Sequence, residues 1–381
     1  MNLVIHDLTA EEWEKIAPEY PDAAVISDSG TIRPCAGCFG CWNRTPGRCV
    51  IPDGYDRMGE LVHHADQVTV ISRYTYGGFS GFVKNVIDRC LGYVLPHFEI
   101  VNGESHHKKR YDEDKPFTFI FYGQDLTEGK KQDARRYVTA LCTNFRSTVK
   151  NVIFLEQPEE RTRSAQPGPV PDGRTVLLNA SMRYANGNSA KLAKQLEKKL
   201  GRETETVNLA QCLKDLPGLV RELEDAPVIV LCTPLYVDGL PSQLIRLMEA
   251  FRDGYAGGSK RVYVLANMGL FESRQLVNLF SAVRRWCAGM NFEYGGALGV
   301  AAGELAGGLM EVLPFGMWPL QEAADGMTRL ADMIRSGRAM EDVYAEMHHF
   351  PRWVYVAVAN SGWKRMAKKN GISPDELFRQ L

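Results

Sequence analysis

The stretch ADQVTVISRYTYGGFSGFVKNVIDR (65–89) can be laid over DAPVIVLCTPLYVDGLPSQLIRLME (225–249) without a gap, pairing Val68 with Val228, Val70 with Val230 and Tyr76 with Tyr236. An internal repeat constrains the fold more than any local pattern, because each copy must be a unit of the same kind. Further on, FTFIFYGQD (117–125) is similar to RVYVLANMG (261–269). Each is followed by a helix-like segment, ARRYVTALCTNF (134–145) and FSAVRRWCAGMNF (280–292). Short apolar strands alternating with helices indicate a parallel sheet covered on both faces. The expectation is therefore an α/β chain with one domain over 1–155 and another over 174–310. The polar, Pro- and Gly-rich stretch EQPEERTRSAQPGPVPDG (156–173) reads as a linker. The segment 311–381 reads as a mostly helical extension wrapping the second domain. A single large α/β domain with chance similarity is the alternative, which the gapless match disfavours.

A formal net charge of -1 argues against nucleic acid as a partner, since a phosphate-binding surface usually shows as a basic excess. The run HHKKR (106–110) reads as a short solvated loop. The opening MNLVIHDLTAEEWEKI lacks the basic and apolar regions of a signal peptide. The weakly polar stretch 296–320 carries Glu304 and Glu311, which a bilayer span would exclude. A cytoplasmic protein with no membrane partner is expected, and its thiols stay reduced. Adjacent histidines (His63–His64, His106–His107, His348–His349) point apart in regular structure and make poor chelators. Trp318, Trp353 and Trp363 read as packing of an accessory helical layer or as part of a substrate pocket. Cys90, Cys142, Cys212, Cys232 and Cys287 sit in apolar surroundings and read as core. No Ser-His-Asp or paired-carboxylate motif stands out, so no catalytic residue is assigned.

The second half opens with RTVLLNASMRYANGNSAKLAKQLEKKL (174–200). A strand over Thr175–Asn179 should run through a polar loop into a helix capped by Asn188 or Ser189. Free amides at the positive end of a helix dipole suit a phosphate. Ser181, Asn186, Asn188 and Ser189 can add hydrogen bonds, and Arg183 adds charge. It is neither a Walker loop nor GxGxxG. CTPLYVDGLPS (232–242) and ANMGLFES (266–273) each follow a predicted strand, so both should lie beside it at the carboxyl edge of the sheet.

With these three motifs in order, the second half resembles the flavodoxin-like NAD(P)H-dependent FMN reductases. The resemblance implies two tandem three-layer domains with doubly wound parallel sheets. It also implies that Ser181, Arg183, Asn186, Asn188 and Ser189 hold the FMN phosphate. Pro234, Leu235, Tyr236 and Val237 would line the flavin ring, and Asn267, Met268 and Gly269 would face its pyrimidine edge. Tyr236 can equally be a core aromatic.

The first half has LVIHDLTAEEWEKIAPEY (3–20) where the second has its phosphate loop; Asp7, Glu11, Glu12 and Glu14 would repel a dianion there. It carries instead PCAGCFGCWNRTPGRC (34–49), with Cys35, Cys38, Cys41 and Cys49. Zinc sites usually use two separated pairs, so this rhythm suits an iron–sulfur cubane better. A redox-active thiol pair or four plain reduced thiols are the other readings. The loop resembles that of the iron–sulfur flavoproteins, which implies a [4Fe–4S] cluster. In that family one chain normally carries both motifs together, whereas here they are split between the halves.

Together these readings imply an FMN-dependent oxidoreductase with NAD(P)H or a ferredoxin-like protein as donor. Electrons would pass between FMN and the cluster to a small-molecule or protein acceptor. The halves would pack as an intramolecular pseudo-dimer, with a homodimer also open. The other readings are a non-catalytic electron carrier or redox sensor, and a cofactor-free scaffold.

Overall fold

The computed structural model describes residues 1–157, 169–170, 173–201 and 204–381, so most of the expected linker 156–173 lies outside the described residues. The chain divides into two compact units, Met1–Thr162 with Val356–Leu381, and Arg163–Tyr355.

In the first unit, β1 (Leu3–His6), β2 (Ala24–Ile26), β3 (Val68–Arg73), β6 (Pro116–Gly123) and β7 (Thr148–Glu156) form a sheet in the order β2-β1-β3-β6-β7. Every neighbouring pair is parallel. Numbered among themselves, these strands run 2-1-3-4-5, the doubly wound order of flavodoxin-like sheets. The helices are α1 (Ala10–Ile16), α2 (Gly40–Asn43), α3 (Met58–His64), α4 (Gly81–Arg89) and α5 (Glu128–Asn144). Strand β6 alternates Phe117, Phe119 and Phe121 onto one face, all buried. Phe79, from the turn after β3, stacks on Phe119 at 5.9 Å and on Phe121 at 5.5 Å.

The first unit also holds an antiparallel hairpin of β4 (Val94–Val101) and β5 (Glu104–Lys109). Its turn is Asn102–Gly103, both at positive φ, the Asn-Gly pair that a tight hairpin selects. This corrects the expectation of a solvated loop at 106–110. His106 and Arg110 are buried, and the Arg110 guanidinium donates to the carbonyls of Gly92 (2.7 Å), Leu377 (2.9 Å) and Arg379 (2.7 Å).

In the second unit the strands are β8 (Thr175–Asn179), β9 (Glu205–Asn208), β10 (Val228–Pro234), β11 (Arg261–Asn267), β12 (Glu293–Val300) and β13 (Val343–Ala345). They pair in the order β13-β12-β11-β10-β8-β9, all parallel, which extends the same winding by one strand. The helices are α6 (Asn188–Leu200), α7 (Leu209–Cys212), α8 (Leu216–Glu222), α9 (Ser242–Gly254), α10 (Val277–Met290), α11 (Gly303–Val312) and α12 (Gln321–Ser336). Among the described residues no helix is long and apolar enough to cross a membrane.

The repeat extends to a device that sequence comparison missed. Lys115, ahead of β6, donates to the carbonyl of His63 at 2.9 Å and to that of Ala65. Lys260, ahead of β11, donates to the carbonyls of Leu223 (2.6 Å), Glu224 (2.9 Å) and Ala226 (2.8 Å). In each unit a buried ammonium satisfies main-chain carbonyls leading from a helix into the next strand.

The gapless pairing needs one correction. Strands β3 and β10 start in register, but β10 is one residue longer. The turns that follow close between Thr75 and Gly78 and between Tyr236 and Gly239. The counterpart of Tyr236 is therefore Thr75, because two-residue turn geometry fixes the pairing there.

The C-terminal segment also differs from expectation. Helix α11 begins at Gly303, and β13 interrupts the helices. Helix α13 (Arg352–Lys369) runs into a segment that belongs with the first unit. Its Trp363 contacts Trp42 at 5.2 Å and Phe39 at 5.3 Å, and Asn370 donates to the Asn43 carbonyl at 3.0 Å. Buried aromatic surface of this kind outweighs sequence proximity to the second domain.

Candidate functional site

Three segments singled out in the sequence meet at the carboxyl edge of the second sheet. The Asn267 side chain, at the end of β11, donates to Ser189 Oγ at 2.7 Å in the first turn of α6. The Asn267 carbonyl accepts the Leu235 amide at 2.8 Å. One asparagine thus ties the start of α6, the β10 turn and the β11 loop together.

The loop between β8 and α6 is tightly built. Asn179 Oδ1 accepts the Ser181 amide (3.1 Å), and Ser181 Oγ accepts the Arg183 amide (3.2 Å). Gly187 is the N-cap of α6, not Asn188 or Ser189, and no side chain caps the helix. A β-carbon on Gly187 would lie 2.5 Å from Ser181 Oγ, so the backbone passes where no larger residue fits. At the start of α6 the Gly187 amide donates to Tyr184 at 3.2 Å and the Ala190 amide to Gly187 at 3.1 Å, so among the described residues the amides of Asn188 and Ser189 are the ones left at the helix N-terminus, and no acidic residue stands in its first turn. Ser181 and Ser189 are buried beneath the loop, whereas Asn186 is exposed on its outer turn. These residues fit a phosphate group: free amides, small hydroxyls and one guanidinium around a helix N-terminus.

The β10 turn places Val237 at φ 38° and Asp238 at φ 60°. A β-branched residue in the left-handed region is a strained outlier of the kind that clusters at ligand sites. Pro234, Leu235, Tyr236 and Val237 are all half-buried. Met268 is buried, with its amide donating to Val300 and its carbonyl accepting from Gly303, so its one main-chain donor is already used. Gly269 is exposed, and its carbonyl accepts the hydroxyl of the enclosed Tyr355. Burial, with Glu304 and Glu272 adding, pushes the Tyr355 hydroxyl far up, so it acts only as a proton-bearing donor.

Sequence reasoning missed Glu304. Its Oε1 accepts from Arg183 Nη1 at 2.9 Å and from Asn188 Nδ2 at 3.1 Å. A lone carboxylate in the Gly/Ala-rich run AAGELAGG (301–308) was the available signal.

In the first unit the matching position is closed. Asp7 follows β1 and accepts the Arg73 amide at 3.1 Å on each oxygen and the Tyr122 hydroxyl at 2.9 Å. Burial, with Asp7 adding, pushes the Tyr122 hydroxyl well above its ordinary value.

The four cysteines of residues 34–49 share one neighbourhood. Burial pushes the Cys35 thiol up to about 12, and Asp88, Cys49 and Cys38 push the same way while the Gly37 amide opposes. Burial also pushes Cys41 well up, with the other three thiols adding and Arg110 opposing. The Gly40 amide donates to Cys38 Sγ at 3.4 Å. Gly37 and Phe39 stand at φ 59° and 58°, winding the backbone so that amides turn toward sulfur. Among the described residues no three His, Cys, Asp or Glu side chains are arranged as ligands of a metal ion. The loop thus gathers four sulfurs, while burial holds Cys35 and Cys41 toward the protonated thiol rather than the thiolate that a cluster ligand requires. Of the cysteines read as core, Cys90, Cys142, Cys232 and Cys287 are buried, whereas Cys212 is partly exposed because short α7 ends there.

No family model matches this sequence, and no curated protein matches it. Among solved structures, the chain is similar to the Trp repressor binding protein from Bacillus subtilis, at 16% identity and a TM-score of 0.32, over 41% of this chain and 96% of that one. It is similar to an FMN-dependent NADH-azoreductase from Bacillus anthracis, solved in complex with FMN, at 15% identity and a TM-score of 0.32, over 42% and 99%. It is similar to a metal-soaked flavodiiron core from Synechocystis at 11% identity and a TM-score of 0.30, over 77% and 80%. With TM-scores this low, the fold assignment rests on the strand order.

Proposed function

We propose that this protein is an FMN-dependent oxidoreductase, with NAD(P)H as donor, whose flavin is held by the second unit. The observation that carries the reading is the meeting of the uncapped α6 N-terminus, the strained β10 turn and the Asn267 loop at one sheet edge. Ser181, Arg183, Asn188 and Ser189 would hold the phosphate, with Asn186 at its outer rim. Pro234, Leu235, Tyr236 and Val237 would flank the ring, with Asn267 and Gly269 at its polar edge and buried Met268 supporting the loop. FMN, when bound, supplies one- and two-electron redox chemistry, and the protein supplies orientation and electrostatics. Tyr355 holds the Gly269 peptide in place through its hydroxyl. Cys35, Cys38, Cys41 and Cys49 would hold the second centre we propose, a [4Fe–4S] cluster, which would supply one-electron redox chemistry. The acceptor is a small molecule or a protein.

Anaerobic purification followed by flavin, iron and sulfide assays and an NAD(P)H oxidation assay tests the reading. Bound FMN with NAD(P)H turnover is expected, together with iron and sulfide that are lost in a Cys38→Ser variant. Bound flavin without turnover favours an electron carrier or sensor. A colourless protein that takes up no FMN overturns the assignment.

A further inference from the structure

Helix α11 lies directly on the loop that the proposed phosphate site needs. Its first amide, Gly303, donates to Met268 at 2.6 Å. One turn on, Gly307 packs so closely on Asn188 that any β-carbon there would collide with the Asn188 amide group. Lys191, in the first turns of α6, donates to the Gly307 carbonyl at 3.2 Å and pairs with Glu311 at 2.6 Å. Between these contacts Glu304 places one carboxylate oxygen on Arg183 and Asn188 together. These are two of the donors assigned to the FMN phosphate.

We infer that Glu304 is an internal competitor for the phosphate, and that it sets how strongly the site prefers a phosphorylated flavin over an unphosphorylated one. The inference rests on the proposed FMN reading. A carboxylate is a monoanion offering the same kind of oxygen acceptor as a phosphate, so it satisfies the two side chains while the phosphate is away. Arg183 is 36% and Glu304 50% exposed at the side chain, so the pair is water-accessible and exchangeable. A dianionic phosphate presents more charge and more acceptors to the same donors. Once displaced, Glu304 stays near through the α11 anchors and repels the phosphate. Its charge lowers affinity for FMN specifically, because riboflavin brings no charge to this point.

The test is titration of FMN and of riboflavin into the full chain and its Glu304→Gln variant, followed by quenching of flavin fluorescence. Glutamine keeps the shape and removes the charge, and the position is exposed enough for the variant to fold. The FMN dissociation constant should fall about tenfold, equivalent to about 1.4 kcal/mol, with that for riboflavin unchanged. The gain should shrink as salt is raised from about 0.01 M to about 1 M, which shortens the screening length from about 30 Å to about 3 Å. Glu304→Ala should act in the same direction, guarding against a glutamine-specific contact. If the wild type binds FMN and both variants bind it no tighter, or tighten both flavins equally, the inference is wrong while the FMN reading stands. If neither wild type nor variants bind FMN, the reading itself fails and the inference with it.

Discussion

Helices α1 and α6 occupy the same place in their units, each following the first strand of a doubly wound sheet. At α1, Thr9 Oγ1 accepts the Glu12 amide at 3.2 Å and Glu12 Oε2 accepts the Thr9 amide at 2.8 Å, so the helix satisfies its own first amides. Glu11 and Glu12 load its first turn with negative charge, and Asp7 takes up the neighbouring Arg73 amide. At α6 the cap is a glycine with no side chain to close the turn, the flanking residues are serine and asparagine, and the loop before it carries Arg183. One fold plan thus carries a helix start closed by its own sequence and another with no side-chain cap, the one the proposed reading gives to an external anion. The carboxylate on the loop donors at the open end, Glu304, comes from a distant helix and is exchangeable, whereas those at the closed end are built into the same turn.

The comparison can be broken or sharpened at several points. The largest expected effect is an acid sensitivity in the first unit. Burial, with Lys364, Lys108 and Arg110 adding, holds His97 down to about 4. Burial also holds His107 to about 4, against backbone acceptors that oppose it. Above their unfolded value of 6.5 both forms are neutral and nothing is lost. As pH falls from 6.5 toward 4 only the unfolded state takes up the protons, so stability drops, by about 3 kcal/mol per histidine at the limit. Denaturant unfolding followed from pH 7 down to 4 should show this loss, and His97→Phe should flatten it.

Next, Lys115→Met and Lys260→Met should each cost about 3 kcal/mol, since each strands buried carbonyls. Equal losses support a shared plan, and a cost in one unit alone breaks it. Gly187→Ala should cost about 1–2 kcal/mol by pressing on Ser181 Oγ, and it should weaken FMN binding measurably in the same titration. The smallest effect is expected from Thr9→Ala, about 1 kcal/mol of stability for a lost cap, with flavin binding unchanged.

Much of this architecture was legible in the chain. The β8 strand, Thr175–Asn179, falls where the apolar run places it, and the three polar segments after β8, β10 and β11 converge because parallel winding puts every strand end on one edge. What was not legible depends on long-range or backbone terms. The cap at Gly187 follows from a close approach to Ser181 rather than from side-chain capping preference. The one-residue offset after β10 comes from turn closure, which a residue-by-residue match cannot see. HHKKR looks solvated by composition, but the Asn102–Gly103 turn draws it into a hairpin and Arg110 finds carbonyls from the chain's end. Glu304 lies more than a hundred residues from Arg183, and only the placement of α11 brings them together.

The most direct measurement of the central claim is flavin content after saturation with FMN and desalting, compared across three proteins. The wild type should retain one FMN per chain, Arg183→Ala with Ser189→Ala should lose it, and Asp7→Asn with Thr9→Ala should retain it in full. Undiminished flavin in the Arg183/Ser189 variant, or loss in the Asp7/Thr9 variant, would contradict the claim that only the second unit is open to the phosphate.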